Sequence, residues 1–392
     1  KGTTMKKNSP LILVAILAAL PITGFARTKL VTLPDRAKLV TSLENPRFTL
    51  LYEEREIPLQ QGTNYVDFAW NGVSIDANSV MIELLTNPGD GDTATKIIAT
   101  GFPPNEQALT WQLYSPAART ERIRVSYLLN GISQDTSYEI RMNQKETAGD
   151  FQQYFRMQNA SGEDLDNAIV RLPLMDDLTR SMDSGEVRRF LASRVPELPI
   201  KKVFIARPGY DVFLGEDGES IDLVYEIENK TEAGLGKYKL PNGKARLYGD
   251  DGMNSSIFLG EDMLRQTPPK EKAELTLGKV KDVVLKRRLM KDERTNVKTN
   301  NRKETVMFDQ VRQVRYEIEN FKEEPVTLKI NETLNGDWEI QEITEAGVKT
   351  ERKSLSELVV SVDLPANKKG EKAEKKVVDI TFVIKNRFPG EK

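Results

Sequence analysis

Chemistry in this chain has to proceed without its commonest instruments. Among 392 residues there is no His and no Cys. That excludes Ser-His-Asp and Cys-His nucleophiles, ordinary zinc sites, thiolate-held iron–sulfur clusters and disulfides. Carboxylates, hydroxyls, amides and aromatic rings remain. A glycosidase needs only two acids, about 5–10 Å apart. With 59 Asp and Glu, some pair always meets that condition, so the sequence singles out no catalytic residue. Most of these acids alternate along strands, where they solvate an exposed face.

Trp70, Trp111 and Trp338 are the candidate binding residues. An indole face can stack on a sugar ring, although Trp more often packs across strands in a β core. Two acid-rich turns offer oxygen ligands of the kind calcium takes, Asp90-Gly91-Asp92 and Gly215-Glu216-Asp217-Gly218-Glu219. Neither has EF-hand spacing. Hairpin turns select Asp-Gly for backbone reasons alone, since both central residues need positive φ. No metal and no other cofactor is therefore expected. Gly234-Leu235-Gly236-Lys237 lacks the full spacing of a phosphate loop and the following Ser or Thr, and reads as a connection between strands. Asn-X-Ser/Thr sequons begin at Asn159, Asn229, Asn254 and Asn331, and they matter only in a host that glycosylates.

The elements that would position these residues are strands. Arg47 to Leu59, Tyr65 to Trp70, Ser79 to Leu85, Thr95 to Thr100, Arg122 to Leu129 and Asn167 to Leu174 are short β-rich runs separated by Gly, Asn and Asp clusters such as Asn87 to Asp92. Strands at this spacing indicate sandwich architecture. Tyr210 to Gly215 and Ser220 to Glu228 flank one Asp-Gly hairpin turn, and Lys244 to Tyr248 and Ser256 to Leu259 flank another. Tyr225-Glu226-Ile227-Glu228-Asn229 and Tyr316-Glu317-Ile318-Glu319-Asn320 share one pattern, an apolar–acid alternation ending in a turn-forming Asn. Leu178 to Val195 breaks the rule: Val187, Phe190 and Leu191 recur at helical spacing, which predicts a short helix ended by Pro196 and Pro199. The charge run Ala366 to Lys376 reads as a solvated loop before a last strand, Val377 to Ile384.

Lysine and arginine number 57 against 59 acids, a formal charge of −2. No clustered basic excess points to nucleic acid. Lys6-Lys7, the apolar run Leu11 to Leu20, Pro21 and Gly24-Phe25-Ala26 have the layout of a secretory signal peptide, with cleavage predicted after Ala26. The run is about half the roughly 20 residues needed to cross a bilayer. The expected organisation is a signal region over 1–26, an N-terminal β-rich module over 27–105, the first part of a β-sandwich region over 106–175, a helical linker over 176–200 and a C-terminal β-sandwich over 201–392.

Several stretches also resemble the mucoidy-inhibitor-like family of secreted proteins, whose shared C-terminal β domain is known only as a domain of unknown function. They are Gly131-Ile132-Ser133 with Tyr138, Asn159 to Leu165 with Asn167-Ala168, Leu240 to Asp262, Thr267 to Lys270, Leu277 to Val284, Glu319 to Glu332 and Gly336 to Ile340. Leu51 to Leu84 is similar to the family's N-terminal module more loosely. Gln134 stands where the family pattern has Trp, and the long coiled-coil insertion of many relatives is absent. The resemblance implies a β-sandwich and a secreted location, and it carries over no catalytic residue.

The resulting expectation is a mainly β protein with two or more β-sandwich-like (immunoglobulin-like) domains and one short helical connection. The expected function is that of a non-enzymatic secreted or cell-envelope protein, periplasmic or extracellular, binding or structural at the cell surface. Its expected partner is a surface protein or polysaccharide and not a nucleic acid. The alternative is a carbohydrate-binding protein or a carboxylate-dependent enzyme acting on exopolysaccharide. Self-assembly through exposed edge strands is a third possibility.

Overall fold

The computed structural model describes residues 30–45, 47–85, 94–173, 175–210, 212–214, 218–253, 255–368 and 371–390. The signal region over 1–26, the turn Asn87–Asp92 with its calcium candidate, Gly215-Glu216-Asp217 and the sequon at Asn254 lie outside the described residues. The protein is mainly β. Helix among the described residues is confined to two 3-10 turns, Ala77–Ser79 and Thr231–Ala233. No helix there is long and apolar enough to cross a membrane. Two compact units divide the chain: one takes residues up to Val40 and Leu50–Leu128, the other Thr41–Thr49 and Leu129–Lys392.

In the first unit lie β1 (Leu30–Thr32), most of β2 (Lys38–Ser42), β3 (Thr49–Leu59), β4 (Gly62–Ala69), β5 (Met81–Leu84), β6 (Lys96–Gly101), β7 (Ala108–Ser115) and β8 (Arg119–Leu129). One sheet runs β1-β4-β7-β6, and β3, β8 and β5 follow one another in a second. The alternating burial of β7 and β8 sends every second side chain inward, as a half-wet strand requires. Phe68 of β4 joins the layers: its ring centroid lies 5.8 Å from that of Trp111 on β7 and 5.6 Å from that of Tyr127 on β8.

The second unit contains β9 (Ile132–Met142), β10 (Ala148–Asn159), β11 (Leu165–Arg171), β12 (Leu178–Met182), β13 (Val187–Ala206), β14 (Ile221–Glu228), β15 (Gly243–Asp250), β16 (Ser256–Leu264) and β17 (Lys272–Val280). It continues with β18 (Val283–Thr299), β19 (Thr305–Asn320), β20 (Val326–Thr333), β21 (Asp337–Ile343), β22 (Lys349–Arg352), β23 (Glu357–Leu364) and β24 (Lys375–Arg387). β13 links two cores. Its first part pairs with β10, its last residues pair with β14, and Phe204–Ala206 also run parallel to β20. Tyr138, Ile140, Phe151, Tyr225, Ile227 and Leu247 belong to the first core. The second forms where β20 and β23 face the sheet β18-β19-β24-β21. β15 lies parallel to β9, and a Cβ on Gly243 would come 2.4 Å from the Thr136 carbonyl oxygen, so only glycine allows that approach.

The helix predicted over Leu178–Val195, and with it the helical linker over 176–200, is corrected: these residues form β12 and β13. The spacing of Val187, Phe190 and Leu191 misleads because Val187 and Leu191 are exposed, 47% and 48%, and mark no buried helical face; β13 also carries two bulges beyond them. Opposite β10, the register of β13 shifts after Gly149 and again after Gln153, and each shift inserts an extra residue that restarts the two-residue alternation. Pro196 sits in one of these bulges, where no ladder donor is needed. The strand expected over Tyr210–Gly215 is also absent among its described residues. The Gly209 and Val212 carbonyls accept hydrogen bonds from Arg287 instead. The Asp-Gly hairpin of β15 and β16 forms as expected.

The repeated Tyr-Glu-Ile-Glu-Asn pattern marks a common device. In both copies Tyr, Ile and Asn are buried. Asn229 Nδ2 donates to the Tyr238 and Thr267 carbonyls while its Oδ1 accepts from Gly236 N. Asn320 Nδ2 donates to the Glu324 and Pro365 carbonyls while its Oδ1 accepts from Lys322 N. Asn159 does the same at the end of β10, with Glu163 and Asp183 carbonyls and Ser161 N. Each amide satisfies backbone groups that the ladder leaves over where a strand ends.

Candidate functional site

Within the second unit, the start of β9 opens onto a cleft of about 510 Å³. Its geometry begins with Gly131, at φ +85°, where an added Cβ would meet the Ala160 carbonyl oxygen at 2.6 Å. Ala160 N donates to Gly131 O at 2.8 Å, so β9 is seated against the turn that Asn159 holds. Gln134 reaches the other wall, its Nε2 donating to the Leu43 carbonyl at 2.9 Å. Pro241 closes a third side, its carbonyl accepting from the Tyr138 hydroxyl at 2.7 Å.

Leu43, Leu129, Phe155 and Leu172 form a buried apolar floor. The rim is polar but mostly uncharged, with Asn45, Asn130, Ser133 and Asn242. Phe48 stands on it with 42% of its surface exposed. Two amides are held in place: Asn242 Oδ1 accepts from Gln266 N at 2.6 Å, and Asn45 Oδ1 accepts from Arg47 N at 2.9 Å. Asp135 supplies the carboxylate of the lining, and Arg156 Nη1 donates to it at 3.0 Å. This combination can hold a ligand that has both an apolar face and hydrogen-bonding groups. Among the described lining residues, Asp135 is the one carboxylate.

Titratable groups with shifted affinities lie elsewhere. Burial pushes the Glu332 carboxyl up, against the pull of Arg287, and it pushes Glu219 up as well. Burial likewise raises the Tyr138, Tyr225 and Tyr316 hydroxyls. Their partners are internal: Tyr225 donates to Glu146 Oε2 and Tyr316 to Glu332 Oε1, both at 2.9 Å. These groups brace the two cores.

The three tryptophans are corrected as an aromatic platform. Trp70, Trp111 and Trp338 are all buried. Trp70 and Trp111 pack on Phe68. Trp338 Nε1 donates to the Leu355 carbonyl at 2.6 Å, and the Arg352 guanidinium carbon lies 4.2 Å from its ring centroid. None offers the open face that sugar stacking needs, and none lines the cleft. The Gly234–Lys237 stretch follows a 3-10 turn closed by Gly234 at φ +82°, and its Gly236 amide is taken by Asn229. Sequons at Asn159 and Asn229 present buried amides already donating inward, whereas Asn331 is half-buried.

Sequence reasoning missed Phe48 and the amide rim. Phe48 reads in the sequence as part of the β-rich run Arg47 to Leu59, so no local signal sets it apart. No family model matches this chain, and no curated protein matches it.

Proposed function

We infer that this chain is an exported, non-enzymatic cell-envelope protein that works by binding, and that the cleft at the start of β9 receives its ligand. The observation that carries the reading is the pairing of an apolar floor with an amide rim around a single, already ion-paired carboxylate. Export rests on the basic, apolar and small-residue order of the first 26 residues. Kinship with the mucoidy-inhibitor-like proteins is part of the proposal. What supports it is that the resembling stretches Gly131–Ser133 and Leu240–Asp262 both contribute to one cleft, the second through Pro241 and Asn242. Self-assembly through edges is disfavoured, because the register breaks in β18 at Leu289/Lys291 and in the β15–β16 pair at Leu247/Tyr248, and bulges hinder edge-to-edge pairing.

A glycan and envelope-peptide array probed with the chain and with Phe48→Ala tests this. Saturable binding weakened about tenfold by Phe48→Ala, at unchanged melting temperature, is the expected result; loss of one apolar anchor of about 1.4 kcal/mol gives that factor. Turnover of a polysaccharide by the purified chain, or binding indifferent to Phe48, would overturn it.

A further inference from the structure

A second surface lies on the outward side of the sheet ordered β16-β15-β9-β10-β13. The ladder registers place its side chains in rows. Across one row stand Arg194, Gln152, Glu139, Arg246 and Glu261. Across another stand Leu191, Tyr154, Ser137, Lys244 and Met263, and beyond them Arg189, Arg156 and Asp135. Arg141 pairs with Asp150 at the other end. The face thus carries six cations, Arg141, Arg156, Arg189, Arg194, Lys244 and Arg246, with the carboxylates Asp135, Glu139, Asp150 and Glu261, and the exposed Glu197 stands in the bulge opposite Asp150, on a chain whose formal charge is −2.

At two of these carboxylates the signs sit at different depths, whereas Asp135 and Glu261, 55% and 42% exposed, stand level with their partners. Glu139 and Asp150 are 15% and 19% exposed, whereas Arg141 and Arg194 above them are 53% and 54% exposed. Glu139 holds both Arg141 and Arg189, and Asp150 accepts two bonds from Arg194. The Arg194 guanidinium keeps the Asp150 carboxyl below its usual range. An arginine has five N–H donors in a planar fork, and each of these spends only one or two on its carboxylate. The side chains are oriented by their ion pairs and remain 53%, 39% and 54% exposed for Arg141, Arg189 and Arg194. Arg189 also lies flat on Tyr154, its guanidinium carbon 3.5 Å from the ring centroid, so the central ring is capped and offers no stacking surface for a base.

We propose that this face docks an acidic polysaccharide, a polymer whose sugar rings carry carboxylates. Five strands at about 4.8 Å spacing make a platform about 20 Å wide, which suits an extended chain better than a single small anion. Planar guanidinium forks match carboxylates two bonds at a time. The capped tyrosine argues against single-stranded nucleic acid. This surface names a partner class for the binding reading, yet it does not need the cleft to be occupied.

The test is retention of the full chain on immobilised polygalacturonate, with dextran as the neutral control and double-stranded DNA as the competing polyanion. Retention on polygalacturonate that falls steeply with salt, absence of retention on dextran, and at least about tenfold weaker binding by Arg141→Gln/Arg189→Gln/Arg194→Gln are expected. Should the triple variant fail to fold, Lys244→Gln/Arg246→Gln on the neighbouring strand gives the same reading. Equal retention of the folded variants, or DNA bound as tightly as polygalacturonate, overturns the proposal. Loss on Phe48→Ala with the arginine variants unaffected would assign the polymer to the cleft and overturn the face, leaving the general binding reading intact.

Discussion

Arg287 and Glu332 meet across the second core of the larger unit, Nε to Oε1 and Nη2 to Oε2, both at 2.8 Å, with side chains 4% and 1% exposed. Tyr316 donates to the same carboxylate, and Arg287 Nη1 donates to the Val212 carbonyl at 2.7 Å. The pair therefore fastens the strand-free segment before β14 to the sandwich.

Breaking the pair from one side should cost more than deleting it. Arg287→Met leaves Glu332 buried without its counter-ion, a loss of about 3–5 kcal/mol, whereas an apolar pair of similar volume is often neutral or better. Urea unfolding of Arg287→Met and of Arg287→Met/Glu332→Leu measures the difference. Equal losses in both would show that the ion pair contributes no more than packing.

Glu219 should make the protein less stable as pH rises. Its carboxyl is raised above the ordinary value of 4.5 by burial, and its Oε1 is buried without a hydrogen-bond partner. Below the unfolded value both states are protonated and nothing is lost. As pH rises through the window between the unfolded and folded values, the unfolded chain releases its proton first, so stability falls. Glu219→Gln should therefore raise the melting temperature at pH 7, and the gain should disappear by about pH 4. A gain of the same size at both pH values would mean that charge is not the cause.

Buried strand-end amides should resist both mutation and modification. Asn320→Ala orphans two carbonyls and the Lys322 amide, which should cost about 2–4 kcal/mol. Asn331→Ala loses one long contact, 3.3 Å to Glu357, and should cost under about 1 kcal/mol. In a glycosylating host, peptide mass spectrometry should find Asn159 and Asn229 unmodified, because their amides are committed inside the fold.

Gly131→Ala should damage the cleft and the fold together. The site combines φ +85° with a 2.6 Å approach to the Ala160 carbonyl oxygen, and an alanine there meets both strain and collision, costing at least about 1–3 kcal/mol. Gly185→Ala, also at φ +85° but with nothing within 4 Å, separates the two contributions and should cost about 1 kcal/mol.

Alternation was legible wherever a strand keeps its pleat. Arg122 to Leu129 and Val377 to Ile384 read correctly because one face is buried and the other wet. Leu178 to Val195 failed because the apolar residues that imitate a helical repeat, Val187 and Leu191, are exposed and report no buried face. The tryptophans were misread as a site because a side chain's exposure depends on the opposite sheet. Trp111 is buried and packs on Phe68 from a neighbouring strand, and Phe68 in turn packs on Tyr127 of the other sheet.

By itself, the sequence determined the β class, the absence of His and Cys chemistry, and the Asp-Gly hairpin between β15 and β16. These are properties of residue types and near neighbours. Only the tertiary structure decided where chemistry could collect. The cleft draws on segments near 43–49, 129–136, 172–175 and 241–242, and the cationic face arises from the register of five strands. Strand pairing is a long-range choice set by burial and ladder hydrogen bonds, so no local pattern encodes which side chains become neighbours.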